Sequence, residues 1–370
     1  MLKKARIDSL DLLKGYFMVS IILNHLQWYP NGLDWITARG SLVISAAEGF
    51  FLVSGILLGI TRGRGLLSAP FKVPALLVLS RGMKLYIISI VLMLAFTFIG
   101  WLFMGNPGLK PGIRPIDQPL TDIILGALTF EYIYGWADFL RLYAIFLIMS
   151  PFALWLLRKN RWFIVLLASI GLWALFPLAL ESTGRPAELL MPLSWQLIFF
   201  IGLIIGFYWH ALKGWWNRLS LGLRRSILIP VLTLAGLTLG LNIIVSVLVT
   251  LGIAPFPSAI YDSIAITVFN KEALTLPRLA IFFLWFSLGL YIVTRFETRI
   301  KKWFGWILLP FGTNLLYVYI LHAIILFFIH LILPPDSTTN VFVNLAGSVV
   351  VLGILLVAVK KKFLFTIIPR

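Results

Sequence analysis

The stretch Leu12-Leu-Lys-Gly-Tyr-Phe-Met-Val-Ser-Ile-Ile-Leu-Asn-His-Leu-Gln-Trp-Tyr29 is apolar over the length of a membrane-spanning helix, yet it contains a lysine and a histidine. A helix needs about 20 residues to cross about 30 Å of hydrocarbon. Ionisable side chains at that depth cost a few kcal/mol, so Lys14 and His25 are candidates for function. Eleven helical residues rise about 16 Å, which puts Lys14 near one membrane face and His25 towards the other.

The composition of the whole chain indicates a multi-pass helical membrane protein. Of its 370 residues, 60% are hydrophobic and 12% are charged. A soluble domain is about 45–50% apolar and about 25% charged. The polar connections are too short to form a separate soluble domain. We therefore predict an all-α fold and one membrane domain over residues 1–370.

Charge and cysteine content exclude several classes of protein. The net charge of +17 comes from small basic clusters at the ends of apolar segments, and no nucleic-acid motif accompanies them. The chain has no cysteine, which excludes a cysteine acyl-enzyme and disulfides. We expect no nucleic-acid partner. The first apolar segment lacks a small-residue cleavage site, so we expect it to insert as an uncleaved anchor.

Ten apolar windows are long enough to span the membrane. The stretch at residues 119–136 is apolar but contains Asp122 and Glu131, and we interpret it as an interfacial or re-entrant helix. The ten windows are Leu12–Tyr29, Leu42–Thr61, Leu85–Met104, Phe139–Leu157, Trp162–Leu180, Ser194–Leu212, Ile227–Leu251, Leu279–Thr294, Phe311–Leu333 and Val341–Val359.

The distribution of basic residues predicts the orientation. With ten passes both termini lie on one side, which then holds 23 Lys and Arg residues, including the terminal Lys3, Lys4, Arg6 and Arg370. Lys14 and Arg141 lie within or at the ends of spans, and the opposite side holds six basic residues. Because positive loops stay in the cytoplasm, we predict cytoplasmic termini and a location in the inner or plasma membrane. The six opposite residues are Arg39, Lys110, Arg114, Arg185, Lys271 and Arg278.

This orientation predicts a basic inner vestibule and a polar outer cluster. Lys14, Arg81 and Lys84 lie at the cytoplasmic ends of the first and third spans. The outer halves of the first two spans contain Asn24, His25 and Glu48. Further polar candidates lie on later spans, namely Asp138, Arg141, Gln196, Tyr317 and His322.

Six motifs, taken in order, resemble OpgC-type proteins of the acyltransferase family 3 clan, which modify periplasmic glucans with acyl groups. The likeness covers most of the chain. The motifs are Arg6-Ile-Asp-Ser-Leu-Asp-Leu-Leu-Lys-Gly15 with Asn24-His25, Ser45-Ala-Ala-Glu-Gly-Phe-Phe-Leu-Val-Ser-Gly55, Arg81-Gly-Met-Lys-Leu-Tyr86, Trp136-Ala-Asp-Phe-Leu-Arg-Leu-Tyr143, Pro192-Leu-Ser-Trp-Gln-Leu197 and Gly312-Thr-Asn-Leu-Leu-Tyr-Val-Tyr-Ile-Leu-His322.

The resemblance implies a membrane O-acyltransferase. His25 would be the base, since its pKa of about 6.5 suits proton transfer near neutral pH, and Glu48 would orient it. Lys14, Arg81 and Lys84 would bind the phosphates of a cytoplasmic acyl-CoA, a co-substrate and not a resident cofactor. Asn24, Asp138, Arg141, Gln196, Tyr317 and His322 would contact the acceptor, a glycan or lipid-linked sugar, or support the base. Membrane lipids are the other partners.

Two alternatives stay open, and each has its own sequence feature. A transporter or flippase of an anionic or sugar-linked substrate would also have basic inner ends, but the chain shows no paired halves. A non-catalytic scaffold descended from the enzyme is kept open by departures from the family pattern. Lys14 stands where the family has Arg, and Ser89 where a His is expected. The four histidines include no His-x-x-His or Glu-x-x-His pair, so we predict no metal site.

Overall fold

A computed structural model describes residues 7–136, 138–253 and 257–369. The predictions that involve Lys3, Lys4, Arg6 and Arg370 fall outside these ranges. Every described element is a helix, apart from three short π and 3₁₀ turns that extend two of them, α2 and α3. The helices are α1 (Asp8–Leu26), α2 (Asp34–Thr37), α3 (Ala46–Leu58), α4 (Lys72–Leu102), α5 (Leu120–Thr129), α6 (Asp138–Arg158), α7 (Trp162–Ala174), α8 (Phe176–Thr183), α9 (Ala187–Phe207), α10 (Trp209–Arg218), α11 (Leu221–Thr250), α12 (Ser258–Thr267), α13 (Leu276–Arg295), α14 (Glu297–Thr313), α15 (Leu315–Ile332) and α16 (Val341–Lys360).

The all-helical, polytopic class is confirmed. Nine helical stretches in the described ranges are long and apolar enough to cross a membrane. They correspond to α3 with its extension, α4, α6, α7 with α8, α9, α11, α13, α15 and α16. The tenth predicted span is α1, which has 19 residues. It differs from the other nine in holding Asp8, Asp11 and Lys14 in its first two turns.

The stretch at 119–136 contains α5, whose ten residues rise about 15 Å, half of the hydrocarbon thickness. A loop follows α5 and folds back onto α4. Its Tyr132 hydroxyl lies 2.8 Å from the hydroxyl of Thr97, and Lys110 donates to the carbonyl of Gly135 at 2.9 Å. The segment therefore caps one end of the bundle, and α5 does not span it.

Glycines allow α3 and α9 to pack backbone to backbone. A Cβ on Gly55 would lie 2.1 Å from the carbonyl oxygen of Phe199, and one on Gly206 would lie 1.9 Å from that of Ile56. Real Cβ atoms do not approach this closely, so any side chain at either position would separate the helices. Close approach through small residues is a common mode of helix association in membranes. It holds the helix that carries Glu48 rigidly in the core.

The same close packing at glycines joins α1 to α14. A Cβ on Gly312 would lie 1.8 Å from the carbonyl oxygen of Asp11, and one on Gly15 would lie 2.1 Å from that of Leu308. Lys301 of α14 also hydrogen-bonds to Asp8, the first residue of α1. The end of α1 that carries Lys14 is thereby fixed. By contrast, α11 lies on the periphery of the bundle, with a single fully buried residue, Ala235.

Candidate functional site

His25 on α1 and His322 on α15 form a hydrogen-bonded pair. The Nδ1 of His25 lies 3.1 Å from the Nε2 of His322, and the Nδ1 of His322 lies 2.5 Å from the carbonyl oxygen of Tyr319. A carbonyl only accepts, so the Nδ1 of neutral His322 carries the proton and its Nε2 accepts from His25. The Nε2 of His25 then keeps its lone pair. That nitrogen is the one able to take a proton from a substrate.

Aromatic rings hold both imidazoles in place. The ring of Trp136 stacks on His25, with 4.3 Å between centroids, and the ring of Tyr319 meets His322 edge to face at 4.8 Å. Lys110 places its ammonium 4.5 Å from the centroid of the Trp136 ring. Positive charge therefore lies close to the pair, with an aromatic ring between them.

Asp138, at the start of α6, is the carboxylate connected to this cluster. The Tyr319 hydroxyl is 3.4 Å from Asp138 Oδ1 and donates to the carbonyl of Trp136 at 3.1 Å. Lys110 forms an ion pair with Asp138 at 3.8 Å. These contacts link α6, α15 and the loop before α6 around one polar centre. The predicted polar cluster thus contains His25, His322 and Asp138.

Glu48 does not pair with His25, so that geometric prediction is wrong. Its fully buried carboxylate forms an ion pair with Arg278 of α13, which donates through Nε at 2.8 Å and through a second nitrogen. Glu48 also accepts from the backbone and the hydroxyl of Ser45, closing a capping box at the start of α3. The carboxylate is satisfied by these partners, which fits a role in holding α3 to α13.

A cavity of about 970 Å³, which we call the basic cavity, lies beside the first turns of α1. Lys14 and Arg81 both line it, as predicted for the donor site, whereas Lys84 does not and is exposed. Lys14 forms an ion pair with Asp11 at 2.8 Å. The other ionisable groups in the lining are Asp8, Asp11, Arg62, Arg64, His210, Lys213 and Glu297.

Two smaller cavities continue from the basic cavity towards the histidine pair. The first, which we call the neck, measures about 10 Å³ and shares Tyr143 and Leu316 with the basic cavity. The second, the Asp138 cavity, measures about 160 Å³ and shares Phe139 with the neck. The neck is lined by Ile21, Ala47, Phe50, Phe139, Leu140, Tyr143, Leu316 and Tyr319.

The Asp138 cavity combines acidic, basic and hydroxyl groups. Asp138, Glu188, Lys110, Arg141 and Tyr134 all line it. The Tyr134 hydroxyl has no hydrogen-bond partner among the described residues. Burial raises the pKa of Tyr134 to about 12, so its phenol stays protonated and can donate. Such a mixture of donors and acceptors suits a ligand rich in hydroxyl groups.

Arg141 and Asn24 are tied to neighbouring groups. Arg141 donates to the carbonyls of Glu188 at 2.7 Å and Phe130 at 3.3 Å, so it lines the Asp138 cavity without pairing with Asp138. The Asn24 amide oxygen accepts from the Tyr29 hydroxyl at 2.8 Å.

Gln196 and Tyr317 lie away from the cluster, contrary to prediction. Gln196 donates to the carbonyl of Ser169 on α7 at 2.8 Å. The ring of Tyr317 packs on Phe365, with 4.6 Å between centroids. Neither residue lines any of the three cavities. Their burial was predictable from hydropathy, but the side of the helix they occupy was not.

Sequence reasoning missed several residues that line the cavities. Arg62, Arg64 and Lys213 are in the basic cavity, yet in the sequence they appear as ordinary positive-inside signals. Lys110 belongs to a polar loop far from His25 in the chain, and nothing in the pattern distinguishes it from other basic residues on that side. Only proximity in three dimensions separates these cations from topological ones.

The fold and this centre define a polytopic helical membrane protein in which a hydrogen-bonded histidine pair, His322 buried and His25 half-buried, is connected through Tyr319 to a line of cavities. The family model described as OpgC protein matches residues 6–365. The chain therefore belongs to the OpgC family and is a membrane acyltransferase-like protein. No curated protein and no solved structure matches it significantly.

Proposed function

We propose that this protein is an O-acyltransferase of the cytoplasmic membrane, with both termini in the cytoplasm. It would move an acetyl- or succinyl-class group from acyl-CoA to a hydroxyl of an extracytoplasmic glycan or lipid-linked sugar. The observation that carries the proposal is the succession of basic cavity, neck and Asp138 cavity. The neck is lined by Tyr319, whose ring contacts His322, and the last cavity is lined by Asp138, which contacts the Tyr319 hydroxyl. Family membership supports the reaction class.

The basic cavity supports the donor site. Its volume of about 970 Å³ lies at the top of the range of about 300–1,000 Å³ for small-molecule sites. Arg62, Arg64, Arg81 and Lys213 would bind the phosphates of coenzyme A, since guanidinium groups match phosphate oxygens in pairs. Lys14 forms an ion pair with Asp11, so its charge is partly compensated and we assign it a smaller share of donor binding. Lys84 is no longer part of the proposed site.

The histidine pair supports the chemistry. The Nε2 of His25 would take the proton of the acceptor hydroxyl as its oxygen attacks the thioester carbonyl. The new C–O bond forms, the C–S bond breaks, and the proton returns from His25 to the departing thiolate. His322 would stabilise the transient imidazolium by accepting from its Nδ1. His322 therefore takes the orienting role that the sequence had assigned to Glu48.

The Asp138 cavity supports the acceptor site. At about 160 Å³ it holds several waters, at about 10–15 Å³ of such volume each, and we assign it to a single sugar unit. Asp138 and Glu188 accept, and Lys110, Arg141 and Tyr134 donate, so several hydroxyl groups of one ring would find partners. The remainder of a larger acceptor would lie outside the cavity.

A turnover assay with purified protein in liposomes tests the proposal. Acetyl-CoA or succinyl-CoA and a gluco-oligosaccharide would be supplied, and free coenzyme A measured with a thiol-reactive dye. The chain has no cysteine, so the protein gives no background. Replacing His25→Ala should lower the acceptor-dependent rate by about 10²–10⁴-fold, and Asn24→Ala, one position away, should leave most of it. An undiminished rate in the His25 variant would overturn the mechanism.

A further inference from the structure

The neck separates the basic cavity from the histidine pair, and its dimensions lead to one further inference, which rests on the proposed function. We propose that Phe50, Tyr143 and Leu316 form a size-selective constriction that admits short acyl chains and rejects long ones. These residues would set the length of the acyl group, whereas the histidine pair would set the chemistry. The constriction would also keep the two larger cavities from communicating.

The volumes show that the neck is closed in this structure. It measures about 10 Å³, between cavities of about 970 and 160 Å³. One ordered water already needs about 10–15 Å³ of such volume, so a methyl group does not fit without movement. All eight lining side chains are aliphatic or aromatic. An acyl chain passing between the larger cavities must therefore displace part of this apolar wall.

One wall of the neck is held in place. Phe50 meets the ring of Phe51 at 5.3 Å and the ring of Tyr143 at 5.7 Å, edge to face in both cases. Tyr319 is tied through its hydroxyl to the carbonyl of Trp136 at 3.1 Å. Movement of either ring would disturb an aromatic cluster or the support of His322.

Leu316 is the residue in the lining of the neck that is best placed to move. It lies in the first turn of α15, two residues after Asn314, where the backbone leaves helical geometry (φ −120°, ψ 36°) between α14 and α15. Its side chain makes no polar contact, and it lines both the basic cavity and the neck. The size of the residue at 316 should therefore decide which acyl chains pass.

Acyl-length selectivity is the first measurement. Liposomes with the intact protein would receive acetyl-, butyryl- and hexanoyl-CoA with a gluco-oligosaccharide. We expect hexanoyl transfer at least tenfold slower than acetyl transfer. Leu316→Ala should raise the hexanoyl-to-acetyl ratio at least tenfold, and the milder Leu316→Val by a smaller factor. The matched control is Leu326→Ala, a fully buried leucine of α15 that lines none of the cavities and should leave the ratio unchanged.

A second measurement needs no turnover, so the neck can fail independently of the acyltransferase activity. A single cysteine at Ser54→Cys, in the basic cavity, should react with a small charged methanethiosulfonate added on one side of sealed vesicles. That reaction identifies the side of the membrane on which the basic cavity opens. Added on that side, the reagent should not modify Ala47→Cys, which lies in the neck. It should modify Ala47→Cys once Leu316→Ala is also present.

The outcomes separate the two ideas. No acyl transfer by the unmodified chain, with Ala47→Cys opened only by Leu316→Ala, would sink the proposed function and keep the neck as a barrier. An unchanged acyl ratio in both Leu316 variants would overturn its role in selectivity. Equal modification of Ala47→Cys with and without Leu316→Ala, including no modification in either, would overturn the constriction itself.

Discussion

Replacing Arg278→Leu should destabilise the protein by about 3–5 kcal/mol, because it leaves the carboxylate of Glu48 buried without its counter-ion. Glu48 is fully buried, and Arg278 is 6% exposed. Arg278 donates to Glu48 through two nitrogens and to the carbonyl of Phe269 through a third at 3.1 Å. Arg278→Lys should recover little of the loss, since an ammonium cannot reproduce this fork.

The reciprocal replacement, at Glu48, should lower the free energy of unfolding slightly more. Glu48→Met strands the guanidinium of Arg278 and also removes the capping box with Ser45, a contribution of about 1 kcal/mol. We expect a loss of about 4–6 kcal/mol in total. The double variant Glu48→Met/Arg278→Leu should regain all but the cap, because a buried ion pair can be replaced by apolar residues at little net cost. The double variant should therefore be more stable than either single variant.

Thermal unfolding of the purified protein, followed by its tryptophan fluorescence, measures these differences. With about 2 °C per kcal/mol for a chain of this size, Arg278→Leu should lower the melting temperature by about 6–10 °C. A fall below about 2 °C, or a double variant no more stable than Arg278→Leu, would refute the reasoning. Acyl transfer by the double variant adds a check. It should persist if Glu48 supports the fold, and it should be lost if Glu48 orients His25.

Three further predictions concern the basic cavity, the α1–α14 contact and the orientation. Arg81→Glu should weaken acyl-CoA binding by a few kcal/mol, because attraction to the phosphates becomes repulsion in a poorly screened cavity. Lys84 is exposed on the same helix, so Lys84→Glu should hardly change the dissociation constant of acyl-CoA in a binding titration. The hydrogen bond with Asp8 raises the pKa of Lys301. The contribution of this hydrogen bond to the stability of the protein is therefore complete below the ordinary pKa of 10.5 and is lost as the pH rises through the raised pKa. Lys301→Met should therefore melt earlier than the parent protein at pH 8, and the gap should close above pH 10.5. A single cysteine at Ser337→Cys should react with an impermeant reagent only from the extracytoplasmic side, and reaction from the cytoplasm would reverse the topology.

The spans could be predicted because hydrocarbon constrains a helix in one dimension. A run of about 20 apolar residues must cross the membrane whatever surrounds it, so each window overlaps a helix of the structure. The boundaries are less accurate, since α4 begins at Lys72 and its window at Leu85, and α9 begins at Ala187 and its window at Ser194. The same argument identified His25, because an ionisable group inside such a run is expensive. It also placed Lys14 and His25 at different depths along α1, and in the structure Lys14 lines the basic cavity while His25 belongs to the histidine pair.

The partners across the bundle could not be predicted, because they depend on how each helix is rotated about its axis and which helices are its neighbours. His25 meets His322 across 297 positions, and Glu48 meets Arg278 across 230. Glu48 was predicted to face His25, whereas its carboxylate faces Arg278 of α13. Arg81 and Lys84 show the same limit, since three positions of α4 separate a residue in the basic cavity from one outside it.

The pairing of Lys14 with Asp11 is a contact of the site that local spacing could have revealed. Residues three apart lie on one helical face, so a carboxylate at 11 and an ammonium at 14 are in reach of each other whatever the tertiary fold. Their ion pair of 2.8 Å partly compensates the charge of Lys14 inside the lining of the basic cavity. The substitution of the family arginine by Lys14 keeps the positive charge and removes only the bidentate fork of a guanidinium. Since Asp11 already compensates part of that charge, Arg62, Arg64 and Arg81 are left to carry most of the phosphate recognition. On this reasoning the departure at position 14 is compatible with retained activity, and Lys14→Arg should change the turnover of acyl-CoA far less than Arg81→Glu.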